Sequence, residues 1–156
     1  MALDKAKSYL KKWGLEDKVK VFDVSSATVA LAAKALGTEE QRIAKTMSFD
    51  LGDEAVLIVT AGDARVDNRK FKDHFKVKAK MIPQKDVEER IGYDVGGVCP
   101  FGVKEGIEIF LDDSLKRFTT VYPACGTANS AVEISPEQLH EVLPGSQWID
   151  VCRDWQ

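Results

Sequence analysis

Hydrophobic and polar positions along the chain predict short elements of both kinds. An amphipathic helix over Asp4–Trp13 is stopped by Gly14. Val19–Phe22 reads as a short strand. Ala27–Leu36 reads as a helix rich in small residues, with Ser25 or Ser26 as its cap and Gly37 as its stop. Thr38 to Gln41 has capping-box spacing and opens a short helical turn. From Ala44 to Leu51 the side chains alternate, with Thr46 and Ser48 on one face and Lys45, Met47 and Phe49 on the other. Gly52-Asp53 turns the chain into the continuous apolar run Ala55–Thr60, so this pair predicts a hairpin with a central second strand. Asp67 caps a helix through Phe75, and Pro83–Ile91 is a helix ended by Gly92. Between them Val77, Ala79 and Met81 alternate with lysines as a half-exposed strand would. Further strands are predicted at Ile107–Leu111, Thr119–Tyr122, Ala131–Ile134 and Gln147–Cys152. Ser135-Pro-Glu-Gln138 is a capping box that opens a helix over Pro136–Leu143. Strands and helices mingle without strict βαβ alternation, which favours a mixed sheet in an α+β domain.

Composition narrows the classes. The chain has 156 residues, 44% hydrophobic and 30% charged, which excludes disordered and collagen-like sequences and suits one domain spanning residues 1–156. The longest strongly apolar run, Ala55–Ala61, is too short to span a bilayer, and the first 13 residues lack the apolar stretch of a secretory signal. The expected compartment is the cytoplasm, with no membrane partner. Cys99, Cys125 and Cys152 lie at least 26 residues apart, so no CxxC pair exists and reduced thiols are expected. With only His74 and His140 besides, neither a metal nor a cofactor is expected. The net charge of −3 offers no global attraction to nucleic acid, and DNA is not an expected partner. Its distribution is uneven. Residues 69–80 carry six Lys/Arg against one Asp, whereas residues 133–156 carry five acids against one Arg. The basic segment is either a phosphate-receiving face or a solvated lysine-rich helix.

Three segments carry candidate chemistry. Lys45 shares its strand face with Met47 and Phe49; it either meets a partner in a cleft or reaches solvent from the strand end. The loop from Gly92 to Gly102 holds Gly96, Gly97 and Pro100, and its uncovered amides could receive an oxyanion or a phosphate. It matches neither GxGxxG nor a P-loop, and a rigid surface turn is the alternative. The loop from Pro123 to Asn129 contributes Gly126 and Asn129, as a ligand loop or as ordinary turn residues. Cys99 is read as a packing thiol, since no histidine lies near it in sequence. There is no GxSxG elbow and no visible triad.

Ile43-Ala-Lys45-Thr46-Met47, Gly96-Gly-Val-Cys-Pro100-Phe-Gly102 and Ala124-Cys-Gly126-Thr-Ala-Asn129, in this order, resemble the YbaK/EbsC family, related to the editing domain inserted in bacterial prolyl-tRNA synthetases. The resemblance runs over roughly residues 21–151. It implies an α+β fold whose mixed sheet curls into a partial barrel with peripheral helices. It implies a trans-editing hydrolase that deacylates mischarged aminoacyl-tRNA through a small-amino-acid pocket, without a protein nucleophile. Lys45 is then the catalytic residue, and Gly96, Gly97, Pro100, Gly126 and Asn129 bind substrate. Aminoacyl-tRNA is the implied partner, with an aminoacyl-tRNA synthetase as a second. The alternative is a non-catalytic module of the same fold that binds a tRNA acceptor end or an amino acid. Gly126-Thr127 replaces the Gly-His pair of alanine-specific editors, and the Gly-Arg-rich stretch of the cysteine-specific subgroup is missing, so neither specificity is implied.

Overall fold

The computed structural model describes residues 2–155. Its helices are α1 (Ala2–Lys11), α2 (Val29–Leu36), α3 (Asn68–Phe75), α4 (Gln84–Ile91) and α5 (Pro136–Glu141). Its strands are β1 (Val19–Val21), β2 (Ile43–Asp50), β3 (Ala55–Ala61), β4 (Arg65–Val66), β5 (Glu108–Asp112), β6 (Tyr122–Pro123), β7 (Ser130–Val132), β8 (Gln147–Ile149) and β9 (Cys152–Arg153). The main sheet is mixed, in the order β6-β2-β3-β5-β8, with only β2 and β3 antiparallel. β3 is buried at every position, which is why its sequence is continuously apolar rather than alternating. The core forms around it with Leu10 of α1, Phe71 of α3, Ile91 of α4 and Leu139 of α5, all fully buried.

Two small ladders, β1-β7 and β4-β9, complete the molecule. Single bridges at Val121–Ile134 and Ala124–Ala131 lean β7 against the β6 segment. The fold is thus the expected mixed α+β class. No ladder joins β1 to β8 among the described residues, so the pairing closes no barrel.

Several helix ends form for the reasons legible in the chain. Asp67 accepts from the Arg69 and Lys70 amides at 2.9 and 3.0 Å, and Ser135 and Gln138 complete their reciprocal capping box. Four local expectations are corrected. The cap of α2 is Thr28, which accepts from Leu31 N at 3.2 Å, while the Ser25 and Ser26 hydroxyls turn to the Ala128 carbonyl. The turn at Glu40–Arg42 forms with no side-chain cap. Val77–Met81 is not a strand: it meets the β2 edge only at its end, through the Phe49–Met81 bridge and the bonds Asp50 N to Lys80 O and Ile82 N to Ser48 O. β7, the strand at Ala131, pairs with β1 outside the main sheet, and the last predicted strand divides into β8 and β9, which join different ladders and leave Cys152 outside the main sheet too. Buried Asp112 holds that break in place, accepting from Val151 N and Ser114 N, each at 2.9 Å.

Candidate active site

The outer edge of β2 is occupied at both ends and open in the middle. β6 pairs with Ile43 and Ala44. At the other end Asp50 N donates to Lys80 O at 2.8 Å, and Ile82 N donates to Ser48 O at 3.1 Å. Residues 45–47 between them have no strand partner on this edge among the described residues. Backbone groups alternate sides along a strand, so the edge that carries Ser48 C=O and Asp50 N–H also carries the Thr46 N–H and C=O.

A cavity of about 120 Å³ opens beside this gap. Its walls are the entrance of α2 (Ser26 to Val29), β2 residues Ile43 to Thr46, Val95, Gly96 and Val98 of the first glycine loop, and Tyr122, Ala124, Ser130 and Ala131. Small and branched apolar side chains make most of the lining. Its polar side chains are nearly all engaged. Thr28 caps α2, Ser26 Oγ donates to Ala128 O, and Tyr122 OH donates to Glu133 at 3.3 Å. Ser130 Oγ lies 2.8 Å from Thr127 Oγ1 and donates to the Thr127 carbonyl at 3.4 Å.

Two adjacent groups on β2 are the exceptions. The Thr46 hydroxyl is buried and has no hydrogen-bond partner among the described residues. The half-buried Lys45 ammonium makes no hydrogen bond or ion pair among the described residues. Burial lowers the Lys45 pKa, and Arg65 pushes the same way against Cys152 and Asp63. A buried hydroxyl and a partly dehydrated cation without hydrogen-bond partners each cost free energy, and each is suited to receive one.

Of the residues singled out in the sequence, Lys45 and Gly96 line this cavity. Gly97, Pro100, Gly126 and Asn129 do not. Gly97 is buried where the two loops meet: a Cβ there would stand 2.5 Å from the Gly126 carbonyl carbon and oxygen, so the loops touch backbone to backbone. Gly126 has φ +92°, and its missing Cβ would meet the Ala2 carbonyl at 2.6 Å and the Tyr93 ring at 2.9 Å. Asn129 donates from Nδ2 to Phe22 O at 3.1 Å and accepts from Thr127 at 2.8 Å, fastening the loop to the end of β1. Pro100 is buried. Thr46 and Ser130 were missed as site residues. For Thr46 the signal was its place on β2 next to Lys45; for Ser130 no sequence signal stood out.

The thiols do not face the cavity, although Cys152 lies close enough to Lys45 for each to feel the other's charge. All three are free and fully buried, and none lines the cavity. Burial pushes the Cys99 and Cys125 pKa values up to about 12 and raises Cys152 as well. His74 packs on Phe75 and Phe110, and His140 on Trp148, so neither histidine reaches the cavity. Among the described residues no cluster of His, Cys, Asp and Glu could hold a metal. No helix among them is long and apolar enough to cross a membrane.

Comparison with known proteins agrees with this architecture. A family model described as aminoacyl-tRNA editing domain matches residues 24–142. The chain is 47% identical over 157 aligned residues, covering both proteins fully, to the "Uncharacterized protein YwhH" of Bacillus subtilis (strain 168). It is 28% identical over 116 residues, 72% of this chain and 70% of the relative, to the "Putative Cys-tRNA(Pro)/Cys-tRNA(Cys) deacylase EbsC" of Enterococcus faecalis (strain ATCC 700802 / V583). Among solved structures, the "Crystal structure of a putative trans-editing enzyme for prolyl tRNA synthetase" superposes with a TM-score of 0.88 at 26% identity, covering 97% of each chain. The chain belongs to the aminoacyl-tRNA editing domain family.

Proposed function

We propose that this chain is a trans-editing deacylase, hydrolysing the ester between a small, wrongly attached amino acid and the terminal ribose of a tRNA. One observation carries the reading: Lys45 Nζ and Thr46 Oγ1, on consecutive residues of an open strand edge, both lack a hydrogen-bond partner among the described residues, and both residues line one small, mostly apolar cavity. The relative named as a Cys-tRNA deacylase and the structural neighbour named for trans-editing support it.

The cavity takes the amino-acid side chain. Its volume of about 120 Å³ suits Ala, Ser, Cys, Thr or Pro and excludes aromatic side chains. Each methylene that fits badly in such a pocket costs about 1–3 kcal/mol of discrimination. The Thr46 hydroxyl and the main-chain groups of the open edge hold the aminoacyl group. Lys45 faces the ester carbonyl and stabilises the negative charge that develops on its oxygen when water attacks. Water adds to the carbonyl carbon, the bond to the ribose oxygen breaks, and that oxygen leaves with a proton. The free amino acid and an uncharged 3′ end are the products. The attacking water loses its proton to the substrate's own amine or neighbouring ribose hydroxyl, since the cavity offers neither histidine nor carboxylate. An aminoacyl ester is already activated, so orientation and oxyanion stabilisation supply most of the acceleration.

The test is a panel of several tRNAs charged with Ala, Cys, Ser, Thr or Pro, and with Phe as a bulky control, with release of the amino acid followed over the spontaneous rate. Turnover of at least one small aminoacyl-tRNA is expected, with none for Phe. Binding without release on every member of the panel would replace the deacylase by a recognition module of the same fold.

A further inference from the structure

A second depression lies on the other side of Lys45. It is lined by Glu40, Lys45, Met47, Asp63, Arg65 and Arg153, with Gly62 and Val66 between them, and Lys45 belongs to both its wall and that of the cavity. Arg65 and Arg153 stand directly opposite each other across the antiparallel β4-β9 ladder. Like charges in this relation repel, and sheets ordinarily avoid them.

Among the described residues the repulsion is offset only in part, by the charge of Asp67 acting on Arg153. Neither guanidinium makes a hydrogen bond or an ion pair among the described residues, and both are exposed. Nearby carboxylates are committed elsewhere. Asp63 is held by Arg117 through contacts of 2.6 and 3.0 Å. Asp67 caps α3, and Asp150 receives Lys70 Nζ at 3.0 Å. Of the two carboxylates that line the depression, the exposed Glu40 has no hydrogen bond or ion pair among the described residues. Arg153 is, besides, the single basic residue in the acidic segment 133–156. Two forked donors, paired across one ladder and lining one depression, suit a tetrahedral anion.

We propose that Arg65 and Arg153 clamp a backbone phosphodiester of the RNA whose acylated end enters the cavity past Lys45. This assignment rests on the deacylase reading and adds to it the place where the polynucleotide is gripped. It moves the leading phosphate contact away from the basic segment 69–80. There Lys70 is already spent on Asp150 and the Cys152 carbonyl, and Arg69, Lys72 and Lys78 line a separate depression.

The test is anisotropy of a labelled, uncharged tRNA titrated with the full chain at 50 to 200 mM salt, which needs no turnover. Arg65→Gln and Arg153→Gln should each weaken binding by roughly tenfold and flatten the salt slope by about 0.7–0.9, and the double variant should do about twice that. The Lys versions should restore the slope but not the full affinity. Melting curves separate this from misfolding. Removing a like-charge pair should leave the Gln variants at least as stable as the parent, with a gain of roughly 1–3 °C at low salt. A folded double variant with unchanged affinity and slope would overturn the clamp while leaving the deacylase reading intact. Loss of tRNA binding in the double variant, with no turnover by the parent on any charged tRNA, would sustain the clamp and remove the deacylase. A parent that binds no tRNA at low salt would overturn the clamp. So would a parent whose melting point rises in inorganic phosphate, lost in the double variant, if tRNA affinity is the same in both; the site would then serve a free anion.

Discussion

Replacing Thr46 by Val should make the protein more stable and a worse catalyst at once. The two side chains have nearly the same shape, and the change exchanges the buried, unpartnered hydroxyl for a methyl group. Leaving such a hydroxyl without a partner costs about 1–3 kcal/mol, and the cost vanishes when the group is removed without altering the packing. A gain of about 1–2 kcal/mol is expected, which for a chain of this length is a rise of roughly 2–8 °C in Tm. Urea denaturation should show a higher midpoint with an unchanged slope. On the substrate side, a neutral hydrogen bond contributes about 0.5–1.5 kcal/mol, so kcat/KM for the preferred aminoacyl-tRNA should drop by about 2- to 13-fold. Thr46→Ser keeps the hydroxyl and should retain most of the activity without the stability gain. A Val variant that melts lower than the parent would show that the hydroxyl has a stabilising partner, and the argument from its isolation would fail. A more stable Val variant with full kcat/KM would remove Thr46 from the substrate's contacts.

Lys45→Ala should lower deacylation by about ten- to a hundredfold, the worth of about 1.5–3 kcal/mol for a charge-assisted hydrogen bond, while the fold persists by circular dichroism. Because the Lys45 pKa is depressed by burial, its cation is lost at a lower pH than an ordinary lysine's. Enzymatic release above the spontaneous rate should therefore decline below the usual lysine range, and a profile flat through pH 10.5 would refute the charged role. For stability the sign is fixed by linkage: a lysine whose folded pKa lies below its unfolded one weighs on the fold at neutral pH and is relieved as pH rises toward the unfolded value. The thiols act oppositely. Their raised pKa values contribute stability that is whole below the unfolded value near 8.5 and falls above it, by about 1.4 kcal/mol per pH unit for each thiol. Tm should accordingly fall between pH 8.5 and 10, less steeply in Cys99→Ala than in the parent, and the native protein should resist iodoacetamide. Gly97→Ala should cost about 1–3 kcal/mol or more, because its Cβ meets Gly126 main chain that cannot rotate aside; a urea midpoint equal to the parent's would contradict that.

What the chain made legible were features decided within a few residues. The Asp67 cap, the Ser135 box, the glycine stops at Gly37 and Gly92 and the central place of β3 depend on local spacing and apolar continuity. Competition between distant segments was not legible. Ser25 and Ser26 are as good caps as Thr28 in isolation, yet the approach of Ala128 draws their hydroxyls away. Val77–Met81 has a strand's alternation but reaches the β2 edge only at residues 80–82, so no ladder forms along it. At the site, Lys45 and the Gly96 loop were visible because their residue types are unusual where they stand. The contribution of the second loop passed to Ala124, Ser130 and Ala131, while Gly126 and Asn129 face other elements, since residue type alone does not tell which side of a loop meets a cavity. Arg65 and Arg153 become notable only once β4 and β9 are paired.

The interrupted edge of β2 has a consequence for the protein's life in a crowded solution. Unpaired strand edges invite other chains to add to them, and segments of six or seven residues are the usual unit of such stacking. Here the vacant stretch is three residues long, stoppered by β6 at one end and by residues 80–82 at the other. A single aminoacyl group can use it, and a foreign strand is too long to dock. Changes that loosen residues 80–82 would lengthen the open stretch toward Asp50 and turn the proposed place of substrate capture into a seed for self-association.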